Sequence, residues 1–226
     1  MTEKLNLYHG SPLIIEKPTY GAGNPNNDYG LGFYCTESVE LAKEWACSGE
    51  TGGFANRYTI DMTGLSVLSL TNGDYNILNW LSILLENRRF RIGSEIAVQA
   101  KDYIFNNFAV DYKKYDVIKG YRADDSYFSF ASAFLNNTIS VAQLEKAMAL
   151  GQLGQQIVIM SKKAFERLRF EGAEEADGEI YFPKKLARDT RAREEFQRER
   201  HRGSVLTEKY IIDIIREGWK NDDPRL

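Results

Sequence analysis

The chain has 226 residues, enough for one sizeable core, and its 43% hydrophobic content with 13 Tyr and 12 Phe is that of a globular protein, not a disordered one. A net charge of −3 excludes capture of nucleic acid by a global basic field, though not recognition through a local patch. No apolar stretch approaches membrane-spanning length, Thr2–Asn6 is polar and unlike a secretory leader, and Cys35 and Cys47 are too few for a disulfide framework and show no metal spacing with His9 or His201, so a cytoplasmic, reduced, metal-free protein with no membrane partner is expected.

Lys4–His9 reads as a strand, and Ile14–Gly30 as a loop whose Gly21–Asp28 stretch holds nearly every turn-forming residue type. Gly32–Thr36 reads as a second strand. Ser38–Cys47 reads as a helix, with Val39, Leu41, Ala42 and Trp45 at helical spacing. Phe54–Asp61 and Gly64–Leu70 read as further strands. The middle is helical: Ile77, Trp80, Leu81, Leu84 and Leu85 give Tyr75–Arg89 one apolar face, and Ile96, Ala100, Tyr103, Ile104 and Phe108 repeat the pattern. Tyr115–Tyr121 returns to strand. Ser140 and Gln143 form a capping-box pair opening a helix that stops near Gly151. Gln156–Met160 is the candidate buried central strand, and Ser161 caps Lys162–Arg169. Glu171, Glu174 and Glu175 read as a solvated acidic turn. From Pro183 onward Lys184, Lys185, Arg188, Arg191 and further arginines outnumber the acids; the pattern suits two helices, and the charge run reads as a solvated helix face ahead of a nucleic-acid contact. The expected class is α+β, with a domain over residues 1–182 and a helical, locally basic extension of the same globule over 183–226.

The chemistry-bearing strings lie near the start. His9-Gly10-Ser11 puts a ring nitrogen, an approachable backbone and a hydroxyl at a strand end. In Gly30-Leu31-Gly32-Phe33-Tyr34 the alternation sends Phe33 and Tyr34 to opposite faces, one to core and one available to a ligand. Trp45, on the following helix, supplies a second ring able to flank a flat heteroaromatic group. Taken singly, each residue also has an ordinary reading as a satisfied turn or core side chain.

His9-Gly10-Ser11, Gly30-x-Gly-x-Tyr34, Trp45 on the next helix and Gln156 opening an apolar strand together resemble the diphtheria-toxin and poly-ADP-ribose polymerase class of ADP-ribosyltransferases, in particular a bacterial branch of toxin-like domains. The likeness covers about residues 4–170. It implies an ADP-ribosyltransferase-like fold, a split antiparallel β-sheet core forming an NAD cleft with inserted helices and a helical C-terminal segment. It also implies roles: His9 on the adenosine ribose, the Gly10 backbone on the nicotinamide carboxamide, Ser11 on the nicotinamide ribose, and Tyr34 and Trp45 on the nicotinamide ring, with the loop from Gly21 to Tyr29 over the pocket. His9, Tyr34 and Gln156 are the implied catalytic set, with NAD as co-substrate and no metal.

The strongly active enzymes of this class carry glutamate where this chain has Gln156, and an amide retains the hydrogen bond without the charge or the basicity. Asp124 and Asp125, at the end of the Tyr115–Tyr121 strand, are the candidate substitutes; helix capping of Ser126–Leu135 suits them equally. The expectation is an NAD-dependent mono-ADP-ribosyltransferase acting on a protein or nucleic-acid acceptor, a toxin or phage-defence effector with an antitoxin as a possible binding partner. A degenerate NAD-binding or protein-interaction module and an NAD glycohydrolase are the alternatives.

Overall fold

The computed structural model describes residues 4–90, 92–123, 125–149, 154–201 and 207–226. Strand β1 (Lys4–Ser11) is followed by β2 (Phe33–Cys35), α1 (Val39–Ala46), β3 (Gly53–Asp61) and β4 (Val67–Ser69). Two helices, α2 (Ile77–Asn87) and α3 (Glu95–Phe108), lead to β5 (Val117–Gly120). Then come α4 (Asp125–Leu135), α5 (Val141–Ala149), β6 (Gln156–Ile159), α6 (Lys162–Phe165), β7 (Leu168–Ala176), α7 (Gly178–His201) and α8 (Ile211–Glu217). The architecture is α+β, with eight α-helices and two small sheets among the described residues.

One sheet has the order β1-β3-β7 and the other β2-β6-β5-β4. The first is antiparallel throughout, but β4 runs parallel to β5, so the expectation of antiparallel sheets fails at that edge. The reason is the connection: α2 and α3 lie between the two strands in sequence, and a helical crossover returns the chain to the same end of the sheet. The sheets touch at one corner, where Tyr8 N–H donates to Thr36 O at 2.7 Å and Thr36 N–H to Tyr8 O at 2.9 Å.

Two apolar layers form around the second sheet. Leu7, Phe33, Cys35, Tyr58, Ile60, Ile157 and Ile159 fill the space between the sheets, whereas Val158 and Ile118 face the helical layer of Trp80, Leu84, Ile104, Phe130 and Phe134. Strand β6 is therefore buried on both faces, and its period of two puts Gln156 on the helix-facing side with Val158. The same alternation in β2 buries Phe33 and Cys35 between the sheets and leaves Tyr34 on the helix side. Burial pushes the Cys35 thiol up, so it behaves as an apolar filler.

Helix α1 is capped by Ser38, whose side chain accepts from Leu41 N–H. It settles on β1 at Gly10, where a Cβ would lie 2.1 Å from Ala42 O and 2.8 Å from Trp45 Cβ. The reciprocal Ser140 and Gln143 bonds cap α5. Two sequence expectations need correction. Glu171, Glu174 and Glu175 do not form a turn but lie on β7, an edge strand whose exposed acids include Glu174, paired with Lys43 at 2.9 Å. The helix after Ser161 stops at Phe165, because Leu168 already pairs with Ile60 of β3. Helix α7 starts at Gly178 and passes through Pro183, with no break at residues 182 and 183.

Candidate functional site

Two cavities meet where the sheets diverge. The first, of about 340 Å³, has His9, Gly10, Tyr34, Trp45 and Gln156 in its walls, so five of the residues singled out in the sequence come together. The second, of about 400 Å³, lies beneath the loop that includes Lys17, Thr19 and Asn24, and shares His9, Asn27 and Tyr34 with the first.

His9 and Tyr34, far apart in sequence, are joined directly: His9 Nδ1 lies 2.7 Å from the Tyr34 carbonyl oxygen. A carbonyl only accepts, so Nδ1 carries the proton and Nε2 is left as an acceptor. Burial lowers the His9 pKa, against the opposing effect of the Tyr34 hydrogen bond, and the imidazole is neutral at pH 7. Its ring packs on Phe33 at 4.3 Å between centroids. Asn56, fully buried and opposite His9 in the β1–β3 register, holds the strand exit: its amide donates to Leu13 O at 3.1 Å and accepts from Ile15 N–H at 2.8 Å.

Tyr34 has no free hydroxyl. It donates to Gly30 O at 2.6 Å and accepts from Tyr29 N–H at 3.1 Å, and burial pushes the phenol well above its ordinary range. The contribution left to Tyr34 is its ring and its grip on the loop. Gly30, at φ 75°, makes that turn possible. The loop is tied down again by Tyr29, whose hydroxyl donates to Tyr121 O at 2.7 Å.

Trp45 lines the first cavity, and its indole Nε1–H is buried with no hydrogen-bond partner among the described residues. The Arg122 guanidinium sits over its ring at 4.1 Å from the centroid. Gln156 is 6% exposed, and its Oε1 is likewise buried without a partner among the described residues. A buried acceptor and a buried donor in one cavity wall are costly unless something else meets them.

Ser11 is not part of either wall; it is buried and its hydroxyl accepts from Leu13 N–H at 3.2 Å. Asp125 opens α4, but its side chain, like the whole of Asp124, lies outside the described residues. The carboxylate the structure does bring to the cavity is Asp28, which sits in the turn-rich loop before β2. It is 5% exposed, accepts from Ala123 N–H at 2.8 Å and lies 3.2 Å from Arg88 Nε. Among the described residues Arg88, Arg122 and Lys185 are the cations of the wall, three against one carboxylate. Lys185 belongs to the basic run read as a solvated face. Instead α7 packs on α1, with Lys184 on Glu40 at 3.2 Å and Arg188 on the buried Glu44 at 2.8 and 2.9 Å. The one local signal for Asp28 was its place in a turn-rich segment; nothing in sequence pairs it with Ala123 or Arg88.

The fold and site define an α+β protein with a cationic, partly apolar cavity at the corner of two split sheets. The family model described as Protein of unknown function (DUF3990) matches residues 5–170, most of the chain, and the protein belongs to that family. No curated protein and no solved structure matches it. No helix among the described residues is long and apolar enough to cross a membrane, and no cluster of His, Cys, Asp and Glu among them is arranged to hold a metal.

Proposed function

We propose that this protein is an NAD-dependent mono-ADP-ribosyltransferase and that its two sheets are the split core of an ADP-ribosyltransferase-like fold. The observation that carries the reading is the His9–Tyr34 junction, which fixes one acceptor-ready imidazole and one pinned aromatic ring in the wall shared by two adjoining cavities. Two cavities in series suit a dinucleotide, and the unpartnered Gln156 Oε1 and Trp45 Nε1–H suit the hydroxyl and carboxamide groups of its reactive half. NAD supplies a ribose carbon bonded to a cationic leaving group.

In this reading His9 Nε2 accepts from a ribose hydroxyl, and Gln156 Oε1 accepts from a hydroxyl of the ribose that reacts. The face of the Tyr34 ring packs on the flat leaving group. Arg122 and Lys185 oppose the diphosphate charge. Holding the donor in one orientation lowers the barrier to departure of nicotinamide, because motion that would be lost in the transition state is lost on binding. Gln156 adds no charge to stabilise the cationic ribose, and Asp28, the carboxylate of the same wall, is the group that takes the acceptor's proton. A toxin or defence role in the cytoplasm, with an antitoxin as partner, is the biological setting this activity suits.

A second reading, an NAD-binding module without transfer, is favoured by Gln156 in place of a carboxylate and by Arg122 covering Trp45. Incubation with isotopically labelled NAD and a cell lysate separates them. Transfer gives label on macromolecules, hydrolysis gives free ADP-ribose, and binding without turnover leaves NAD intact. His9→Ala and Tyr34→Ala are expected to abolish turnover and Gln156→Ala to impair it. Wild-type turnover by His9→Ala would refute the site.

A further inference from the structure

A third cavity, of about 370 Å³, opens on the far side of Arg88 and is lined by Asn26, Arg88, Arg89 and Phe128. It adjoins the His9 and Gln156 cavity, since Arg88 and the Asn26-Asn27-Asp28 turn contribute to both walls. The three cavities therefore adjoin in series: the second beneath the loop, the first at the sheet corner, the third against α4.

The third has an unusual lining. Phe128 is stacked on Phe90, with ring centroids 4.1 Å apart and planes at 28°, so the ring facing the cavity is backed by a second ring. The Arg88 guanidinium sits 5.8 Å from the Phe128 centroid, Arg89 is exposed, and no acid lines the cavity among the described residues. A fixed aromatic face, two guanidiniums and a side-chain amide are the tools for an unpaired nucleobase and its flanking phosphates. The ring stacks on the base, the exposed Arg89 meets a phosphate oxygen together with the part of the Arg88 guanidinium that is not turned to Asp28 and Ala123 O, and Asn26 offers both a donor and an acceptor to a base edge. An acidic peptide would use the arginines but has no need of the stacked platform.

We propose that this cavity is the acceptor subsite and that the acceptor is a single-stranded nucleic acid. The inference rests on the transferase reading above. In the transfer, the bond from the ribose carbon to nicotinamide breaks and its electron pair leaves with nicotinamide. A lone pair on a nucleobase nitrogen forms the new bond to that carbon, and the proton this nitrogen loses passes to the Asp28 carboxylate. The overall charge of −3 requires capture to be local, so affinity should depend on few phosphates.

The test uses the full chain with fluorescently labelled single-stranded RNA and DNA 12-mers of mixed sequence, read by anisotropy across a salt series. Wild type is expected to bind at least one of them, with a log–log salt slope of about −1.4 for two phosphates at about −0.7 each. Phe128→Ala is expected to weaken binding by on the order of tenfold, the loss of one stacked base, with Phe128→Tyr restoring it. Arg89→Gln should lower the slope by about 0.7. Thermal melting of each variant shows whether it is folded. Label transferred from NAD in lysate should be released by nuclease. Equal oligonucleotide binding by wild type and folded Phe128→Ala, or label that resists nuclease and is removed by protease, would overturn the proposal. Failure of the transferase reading is separate: it shows as intact NAD with wild-type protein in lysate.

Discussion

At the scale of single residues, the protonation state of His9 is decided by where β1 meets β2. The Tyr34 carbonyl holds the proton on Nδ1, and burial lowers the pKa from 6.5, so folding favours the neutral ring. The unfolded chain then binds the proton more readily than the folded one. The stability this group contributes is fully present above about pH 6.5 and is lost as pH falls through the folded value. Urea melts of wild type and His9→Gln between pH 7.5 and 5 should therefore diverge. Wild type loses the larger share of its stability on acidification, and the difference between the two isolates His9 from the carboxylates that titrate in both. Parallel curves would mean that the ring is not held neutral. His9, Tyr34, Trp45 and Gln156 were legible because each lies on a strand or helix whose periodicity aims it. Asp28 and Arg122 were not, since their places depend on contacts with Ala123 and Trp45 that no local pattern encodes. Ser11 misled for the converse reason: a hydroxyl in a motif string was spent on a backbone turn.

At the scale of elements, helix periodicity was the stronger guide. Trp80, Leu81, Leu84 and Leu85 of α2 are all buried, as their spacing predicts, while Ile96 of α3 is 39% exposed because the buried stripe of that helix runs through Ala97, Ala100, Ile104 and Phe108 and leaves Ile96 at its margin. Strands were less legible where burial is one-sided and acidic, as in β7, whose pairing partner β3 lies far away in sequence. The element that matters most to the site is α1, and its seat is Gly10. With a Cβ at 2.1 Å from Ala42 O, Gly10→Ala forces the helix, and Trp45 with it, off β1. Overpacking against backbone costs typically 1–3 kcal/mol, about the amount by which Gly10→Ala is expected to lower stability in denaturant titration. NAD binding by calorimetry should weaken as well, although no side chain of the cavity has been removed. Gly93→Ala, where an added Cβ meets nothing within 4 Å, is the matched control and should leave both unchanged. Retained stability in Gly10→Ala would show that α1 can shift at no cost.

At the scale of the whole molecule, the family match over residues 5–170 stops short of a helix that the cavity uses, since Lys185 of α7 is part of its wall. Composition presented residues 183–226 as a charged tail, yet Ala192 and Phe196 of α7 are buried, and Phe196 stacks on Phe130 at 3.9 Å. Charge content hid this because Lys184 and Arg188 are paired with Glu40 and Glu44 of α1, a relationship invisible without the fold. The central pair is Arg188 with Glu44, whose side chain is 4% exposed. If the pair acts as a buried clamp, Arg188→Met strands the buried Glu44 carboxylate without its partner, and a loss of about 3–5 kcal/mol is expected. Replacing both partners, as Glu44→Leu with Arg188→Met, removes the stranded charge and should recover most of that loss, because apolar pairs of similar volume often match buried ion pairs. Were the contact of the solvent-exposed kind, Arg188→Met would cost only about 0–1 kcal/mol and the double change would recover nothing. Urea titration of the three proteins distinguishes the two outcomes. The double variant, with α7 packed but its ion pair gone, then shows whether NAD affinity follows the presence of the helix and its Lys185 or the charge of the seam.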